Sequence, residues 1–166
     1  MIKKLIFISG TMGVGKTTVS KLLLDELPNS AFLDGDWCWN INPFVVNDEN
    51  KKMVIDNICF LLNSFIKNTS IHNIIFCWVM NRQEIVEEIK NKLIGKYDFY
   101  HFTLLTNPEL LKLHFEEDIK KGIRDNYDIE KTTEYMDNYK IVNSIKVYNI
   151  ENDLLKTVHK IKEYLK

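Results

Sequence analysis

An eight-residue segment near the start of the chain has the residue types and the spacing needed to bind nucleotide phosphates. Residues 10–17 read Gly-Thr-Met-Gly-Val-Gly-Lys-Thr, which satisfies the pattern G-x-x-x-x-G-K-[ST]. Glycines let successive backbone N–H groups turn inward towards phosphate oxygens, and the following helix presents its positive N-terminal end to them. The segment therefore predicts a site for a nucleoside triphosphate.

The side chains of this loop have separate predicted roles. We expect Lys16 to reach the β- and γ-phosphates as a catalytic group, and we expect the Thr17 hydroxyl to bind Mg²⁺. A glycine-rich turn that binds nothing is the alternative, but the loop stands between an apolar strand pattern and a helical pattern, as a nucleotide site requires. The predicted nucleotide-binding residues are Gly10, Thr11, Met12, Gly13, Val14, Gly15, Lys16, Thr17 and Thr18.

Two carboxylates end the second predicted strand, in the run Phe32-Leu33-Asp34-Gly35-Asp36. Residues two apart point to the same side of an extended chain. The C-terminal ends of parallel strands line the ligand crevice of an open sheet, where the phosphate loop also lies. One carboxylate could hold a Mg²⁺-bound water while the other accepts a proton from an attacking hydroxyl. The alternative is a polar turn without a role.

The elements that would position these groups alternate between strand and helix periodicity. This alternation predicts an α/β fold with a parallel sheet covered by helices, in a single domain over residues 1–166. Strands are expected at about 3–9, 30–34, 72–80, 99–105 and 144–150. Helices are expected at about 15–27, 48–67, from a capping box at Asn81 to 94, from Pro108, at 130–142 and at 152–165.

Composition excludes several classes of function. A net charge of −1 over 166 residues argues against a nucleic-acid partner. Cys38, Cys59 and Cys77 lack metal-ligand spacing and are expected to be reduced thiols. No apolar run reaches the roughly 20 residues that span a bilayer. We expect a cytoplasmic protein, without a membrane partner, that is a monomer or a weak homodimer.

The phosphate loop, the strand end at 32–36 and the chain length together resemble the small P-loop kinases of the shikimate kinase and gluconate kinase group. The resemblance implies a three-layer sandwich with a five-stranded parallel sheet in the order 2-3-1-4-5, a small lid, and ATP with Mg²⁺. It also implies that Asp36 contacts the hydroxyl of the phosphate acceptor and that Asp34 lies near Mg²⁺ through water.

The chain departs from this group in the region of the acceptor. No arginine occurs between residues 1 and 81, so the arginine clamp that shikimate kinases place on a carboxylate is not expected. Trp37 and Trp39 follow the acidic pair and suggest a flat aromatic wall for a base, a sugar ring or a drug-like ring, with packing as the alternative. Arg82 opens the helix after the third strand and is a candidate acceptor contact or a surface arginine.

The resemblance also implies a lid at about 116–130, where the related kinases carry arginine. Only Arg124 of this segment can supply a guanidinium. We expect it to neutralise charge in the transition state, and a surface salt bridge is the alternative.

These residues predict an ATP-dependent kinase that transfers the γ-phosphate of Mg·ATP to a hydroxyl of a small-molecule acceptor whose identity stays open. A nucleoside or nucleotide kinase is one alternative, and a regulatory P-loop NTPase without such an acceptor is another. The chain lacks the guanine motif of GTPases, because Asn91-Lys92-Leu93-Ile94 has no aspartate. The third predicted strand also lacks the terminal acid typical of motor or AAA-type ATPases.

Overall fold

The computed structural model describes residues 2–122, 136–149 and 153–166. Its strands are β1 (Lys3–Gly10), β2 (Ser30–Asp34), β3 (Asn73–Cys77), β4 (Tyr97–Leu105) and β5 (Ile145–Tyr148). Its helices are α1 (Lys16–Glu26), α2 (Asp48–Lys67), α3 (Gln83–Asn91), α4 (Pro108–Lys120), α5 (Met136–Ile141) and α6 (Leu154–Tyr164). A 3-10 helix, Gly35–Trp39, follows β2 directly.

The strands form one parallel sheet in the order β2-β3-β1-β4-β5. Strand β1 lies in the centre, where Ile6 pairs with Ile75 of β3 and with Tyr100 of β4. Every residue of β3 is buried, as expected for a strand covered on both faces. The predicted α/β fold and strand order are confirmed.

Alternate residues of β1 pack against two different helical layers. Leu5 and Phe7 belong to the core beneath α2 and α3, whereas Ile6 and Ile8 belong to the core beneath α1 and α6. This burial on both faces fixes the strand that carries the phosphate loop at its C-terminal end. None of the helices in the described ranges has an apolar stretch long enough to cross a membrane.

Two predicted boundaries differ in the structure. The apolar run at 72–80 predicts a long third strand, but β3 ends at Cys77, which pairs with the last residue of β2, Asp34. Trp78 and Met80 are buried beyond the strand, and the Trp78 backbone N–H still donates to the Ile8 carbonyl of β1 at 3.2 Å. The predicted capping box at Asn81 is wrong, because Arg82 is the N-cap residue of α3 and makes no side-chain cap.

A buried polar group links the phosphate-loop strand to β4. Ser9 Oγ lies 2.9 Å from His101 Nε2 and 2.8 Å from Thr103 Oγ1. Burial, together with the nearby charge of Lys146, lowers the pKa of His101 from 6.5 to about 4. The folded protein therefore keeps this imidazole neutral at pH values where the unfolded chain protonates it.

The pKa of His101 predicts that acid weakens the fold. Between pH 6.5 and 4 the unfolded state binds the extra proton, so the free energy of unfolding should fall as the pH is lowered through this window. The loss at pH 5 should be roughly 2 kcal/mol. Urea denaturation at pH 7 and pH 5 measures it, and His101→Gln should remove most of the difference. An equal loss in the variant would contradict the assignment to His101.

Candidate active site

A crevice of about 590 Å³ opens at the C-terminal edge of the sheet. The phosphate loop forms its floor, and the acidic pair after β2 forms one wall. Helix α4 and the first residue of α6 close the opposite side. The lining residues are Met12, Gly13, Gly15, Lys16, Thr17, Thr18, Lys21, Asp34, Asp36, His114, Glu117, Asp118 and Leu154.

The phosphate-loop residues that do not line the crevice connect the loop to the interior of the protein. The side chains of Thr11 and Val14 are buried, and Gly10 is the last residue of β1. Lys16, at the first position of α1, donates from Nζ to the carbonyl oxygen of Thr11 at 3.0 Å. The loop therefore presents its backbone and Lys16 to the crevice while its apolar side chain anchors it to the core.

Helix α4 packs directly on the loop at Gly13, which has a φ of +79°. A Cβ atom there would lie 3.1 Å from Phe115 Cε2 and 3.3 Å from Leu111 Cδ1. His114 Nδ1 donates to the carbonyl oxygen of Gly13 at 2.8 Å. Glycine is required at this position both for its backbone conformation and for the close approach of α4.

Asp34 is directed towards the phosphate loop. Thr17 Oγ1 donates to Asp34 Oδ2 at 2.8 Å, and the backbone N–H of Asp36 donates to Asp34 Oδ1 at 3.1 Å. Hydroxyl and carboxylate oxygens are the ligands that Mg²⁺ takes in nucleotide sites. Thr17 and Asp34 thus fit a magnesium site beside the loop, and their role as magnesium ligands remains a prediction.

Cys77 lies beneath this pair but has different chemistry. Its Sγ is 4.0 Å from Thr17 Oγ1. Burial, with a contribution from the charge of Asp34, raises the pKa of Cys77 to about 12. The thiol therefore stays protonated at neutral pH and does not compete as a thiolate ligand or nucleophile.

The position of the acidic pair depends on Gly35. A Cβ atom on Gly35 would lie 2.4 Å from Trp78 Cγ, because the buried indole packs against this stretch of backbone. The close contact joins the end of β2 to the segment after β3. A larger residue at this position would displace Trp78 or the carboxylates that flank Gly35.

The two tryptophans after the acidic pair do not form one wall. A 3-10 helix has three residues per turn, so residues two apart are rotated by about 240°. The Trp37 ring contacts Phe32 at a centroid distance of 5.3 Å, whereas the Trp39 ring contacts Phe44 at 5.2 Å. Trp39 packs against the core beneath α2 and α3, and Trp37 is 58% exposed. The two rings therefore do not form the single aromatic wall that the sequence suggests, and for Trp39 the alternative of packing holds.

Of the two arginines, the structure describes Arg82. It lines another hollow, of about 300 Å³, with Asn138 and Ile141 of α5, and is not among the residues that line the phosphate crevice. Arg124 lies outside the described residues, as do residues 123–130 of the predicted lid. Residues 116–120 of that segment belong to α4.

Three residues of α4 line the crevice and are not among the site residues predicted from the sequence. His114, Glu117 and Asp118 line the crevice together, and their spacing of three and four residues places them on one face of the helix. That helical spacing is the sequence feature that could have identified them. The contact of His114 with Gly13 joins residues 101 positions apart and has no local signature.

Comparison with known protein families gives a match over most of the chain. Residues 6–144 match the family AAA_18, described as AAA domain. The chain belongs to this family. No curated protein sequence matches the chain. In this AAA domain β3 ends at Cys77 without the terminal acid expected of a motor ATPase, and the acidic pair of the crevice follows β2 instead.

Solved structures share the fold of this AAA domain over nearly its whole length. A tunicamycin resistance protein of Deinococcus radiodurans is 15% identical, with a TM-score of 0.69 over 98% of this chain and 95% of that one. A gluconokinase of Sinorhizobium meliloti is 13% identical, with a TM-score of 0.65 over 99% and 96%. A sugar kinase of a Janibacter species is 12% identical, with a TM-score of 0.71 over 98% and 94%. The chain therefore shares the fold of these three proteins, two of which are named kinases.

The contact between Thr17 and Asp34 predicts the effect of removing the threonine hydroxyl. Thr17→Val keeps the shape of the side chain but removes the oxygen expected to bind Mg²⁺, so the Mg²⁺ concentration for half-maximal ATP turnover should rise about tenfold or more. Thr17→Ser retains the oxygen and should behave like the natural protein. A magnesium titration at fixed ATP measures the effect. Equal magnesium dependence in the valine and serine variants would exclude a role for this hydroxyl.

Proposed function

We propose that this AAA domain is an ATP-dependent kinase that transfers the γ-phosphate of Mg·ATP to a hydroxyl of a small molecule. The observation that carries the proposal is the presence of Lys16, Thr17, Asp34 and Asp36 in one crevice at the C-terminal edge of the sheet. A phosphate-binding loop facing two carboxylates supplies both a place for the phosphates and a proton acceptor.

Each group of crevice residues has a different role in the proposed reaction. The loop backbone and Lys16 bind phosphate oxygens. Thr17 with Asp34 would hold Mg²⁺, which would supply positive charge against the phosphates. Asp36 accepts the proton of the acceptor hydroxyl as that oxygen bonds to the γ-phosphorus. The bond from the γ-phosphorus to the bridging oxygen breaks, and ADP carries the electron pair away. We assign the charge-neutralising role of the lid to Arg124.

Charge in the crevice favours a hydroxyl acceptor over a second nucleotide. Helix α4 contributes Glu117 and Asp118 to the crevice that Asp34 and Asp36 also line. A nucleoside monophosphate needs cationic donors for its phosphate, and arginine is the residue best suited to this contact. The described part of the chain contains one arginine, Arg82, and it lines a different hollow.

A panel of acceptors tests the proposed function. ADP release by the purified protein would be measured with neutral sugars, amino sugars, sugar acids, nucleosides, nucleotides and hydroxyl-bearing antibiotics. We expect at least one hydroxyl compound to raise the rate above the acceptor-free value, with a phosphate monoester detected by phosphorus NMR. ADP release that no acceptor changes would contradict the kinase and favour a regulatory NTPase.

A further inference from the structure

A second concave surface lies beside the phosphate crevice, between the segment after β2 and helix α2. This apolar groove has a volume of about 440 Å³. Trp37 and Ile41 form one side, and Met53 and Phe60 of α2 form the other. Among the described residues that line it none is charged, and the polar ones are asparagines.

Large apolar side chains are exposed around this groove. Trp37 is 58% exposed, and Phe60, from a different element, is 72% exposed. Single apolar residues on a surface are ordinary, but a contiguous group from separate elements around a hollow marks a binding site.

The groove is continuous with the catalytic segment of the chain. Asp36 lines the phosphate crevice, and the next residue, Trp37, lines the groove. At the end of β2, Asp34 likewise lines the crevice and Leu33 the groove, on opposite sides of the strand. Asp36 and Trp37 are consecutive and both exposed, so a molecule that presents a hydroxyl to Asp36 can pass over the backbone between them and extend its remaining atoms along Trp37.

The size and lining of the groove define the class of occupant. A volume of about 440 Å³ with aromatic walls and few polar groups is typical of small-molecule sites. A stable protein interface is a much broader surface, since it buries about 800 Å² on each partner. An anionic group placed here would lose its hydration without gaining a cationic partner. Asn57, one of the polar residues of the lining, is engaged within the protein, because its Nδ2 donates to the Cys38 carbonyl at 3.3 Å.

We propose that this groove binds the apolar part of the phosphate acceptor, so the acceptor is an alcohol that carries an aromatic or alkyl group. This inference rests on the proposed function, because it takes Asp36 as the group that receives the hydroxyl. It excludes sugar acids and nucleotides as the preferred acceptors. It also makes Phe60, Met53 and Trp37 the residues that determine specificity.

Methionine methyl NMR can observe the groove and the phosphate crevice separately. The chain has five methionines, of which Met53 lines the groove and Met12 lines the crevice. The probes are phenylbutanol, which has an aromatic end and one hydroxyl, and butanediol, which lacks the apolar end. We expect phenylbutanol to shift the Met53 signal saturably and butanediol to leave it unchanged. Mg·ATP should shift Met12.

Phe60→Ala removes one wall of the groove without changing the crevice. It should weaken phenylbutanol binding about tenfold or more, and it should raise the KM of the acceptor found in the panel by a similar factor while kcat changes little. Ile94→Ala is the matched control. Ile94 is 70% exposed and lies just before β4, at the edge of the sheet opposite the crevice.

The outcomes separate this inference from the proposed function. Saturable Met53 shifts that Phe60→Ala abolishes support an apolar ligand in the groove even if no acceptor is phosphorylated. An acceptor whose KM is unchanged by Phe60→Ala would overturn the inference and leave the kinase intact. Equal effects of the two probes would also overturn it. So would a dimer that Phe60→Ala dissociates, because a second copy would then occupy the groove.

Discussion

Lys16→Ala is expected to reduce ATP turnover by at least about 10²–10³-fold, the usual effect of removing a preorganised cationic or hydrogen-bonding group from a reacting oxyanion. Lys16 lines the phosphate crevice, and its Nζ now donates to the carbonyl of Thr11 within the loop. On nucleotide binding the same ammonium is expected to exchange this carbonyl for phosphate oxygens. Calorimetric titration with Mg·ATP and ADP-release kinetics would measure the two losses.

The fold should survive this substitution. Lys16 is only partly buried, and the apolar anchors of the loop remain when its hydrogen bond to the Thr11 carbonyl is lost. Lys21→Ala provides a comparison, because Lys21 lines the same crevice one turn further along α1. We expect this variant to lose less than tenfold. A folded Lys16→Ala protein with unchanged affinity and turnover would rule out the nucleotide site.

The parts of the candidate site that the sequence predicts to lie together are local or lie at a strand end. Residues 10–17 lie between a strand and a helix, so the loop carries its own structural context. Asp34 and Asp36 line the same crevice as the loop because strand ends of a parallel sheet converge at one edge. The strand order followed from a family resemblance and not from the periodicity.

The remaining errors arise from tertiary packing. Apolar character alone cannot distinguish a strand residue from the buried Trp78, which directly follows β3 and packs on Gly35. The separation of Trp37 from Trp39 depends on a 3-10 turn that Gly35 begins. The contact of His114 with Gly13 requires α4 to fold back over the loop. None of these features has a short-range pattern.

Asp36→Asn is expected to separate catalysis from nucleotide binding. Asparagine has nearly the same shape as aspartate, and the hydrogen bond that residue 36 makes to Asp34 comes from its backbone N–H, so the local structure should persist. The variant cannot accept the proton of the acceptor hydroxyl. Turnover should therefore fall by about 10²–10⁴-fold, while the affinity for Mg·ATP stays close to that of the natural protein.

The decisive comparison is between the loss of turnover and the loss of affinity for Mg·ATP in Asp36→Asn. Phosphoryl transfer has a loose transition state in which little proton removal occurs early, so the loss of rate belongs at the lower end of this range if Asp36 mainly positions the hydroxyl. Asp34→Asn is the matched control, because its carboxylate contacts Thr17 and should instead alter the magnesium dependence. Calorimetry with Mg·ATP and ADP-release kinetics on the identified acceptor would supply both numbers. If Asp36→Asn lost affinity and turnover together, Asp36 would belong to the metal site and the roles assigned to the two aspartates would be reversed.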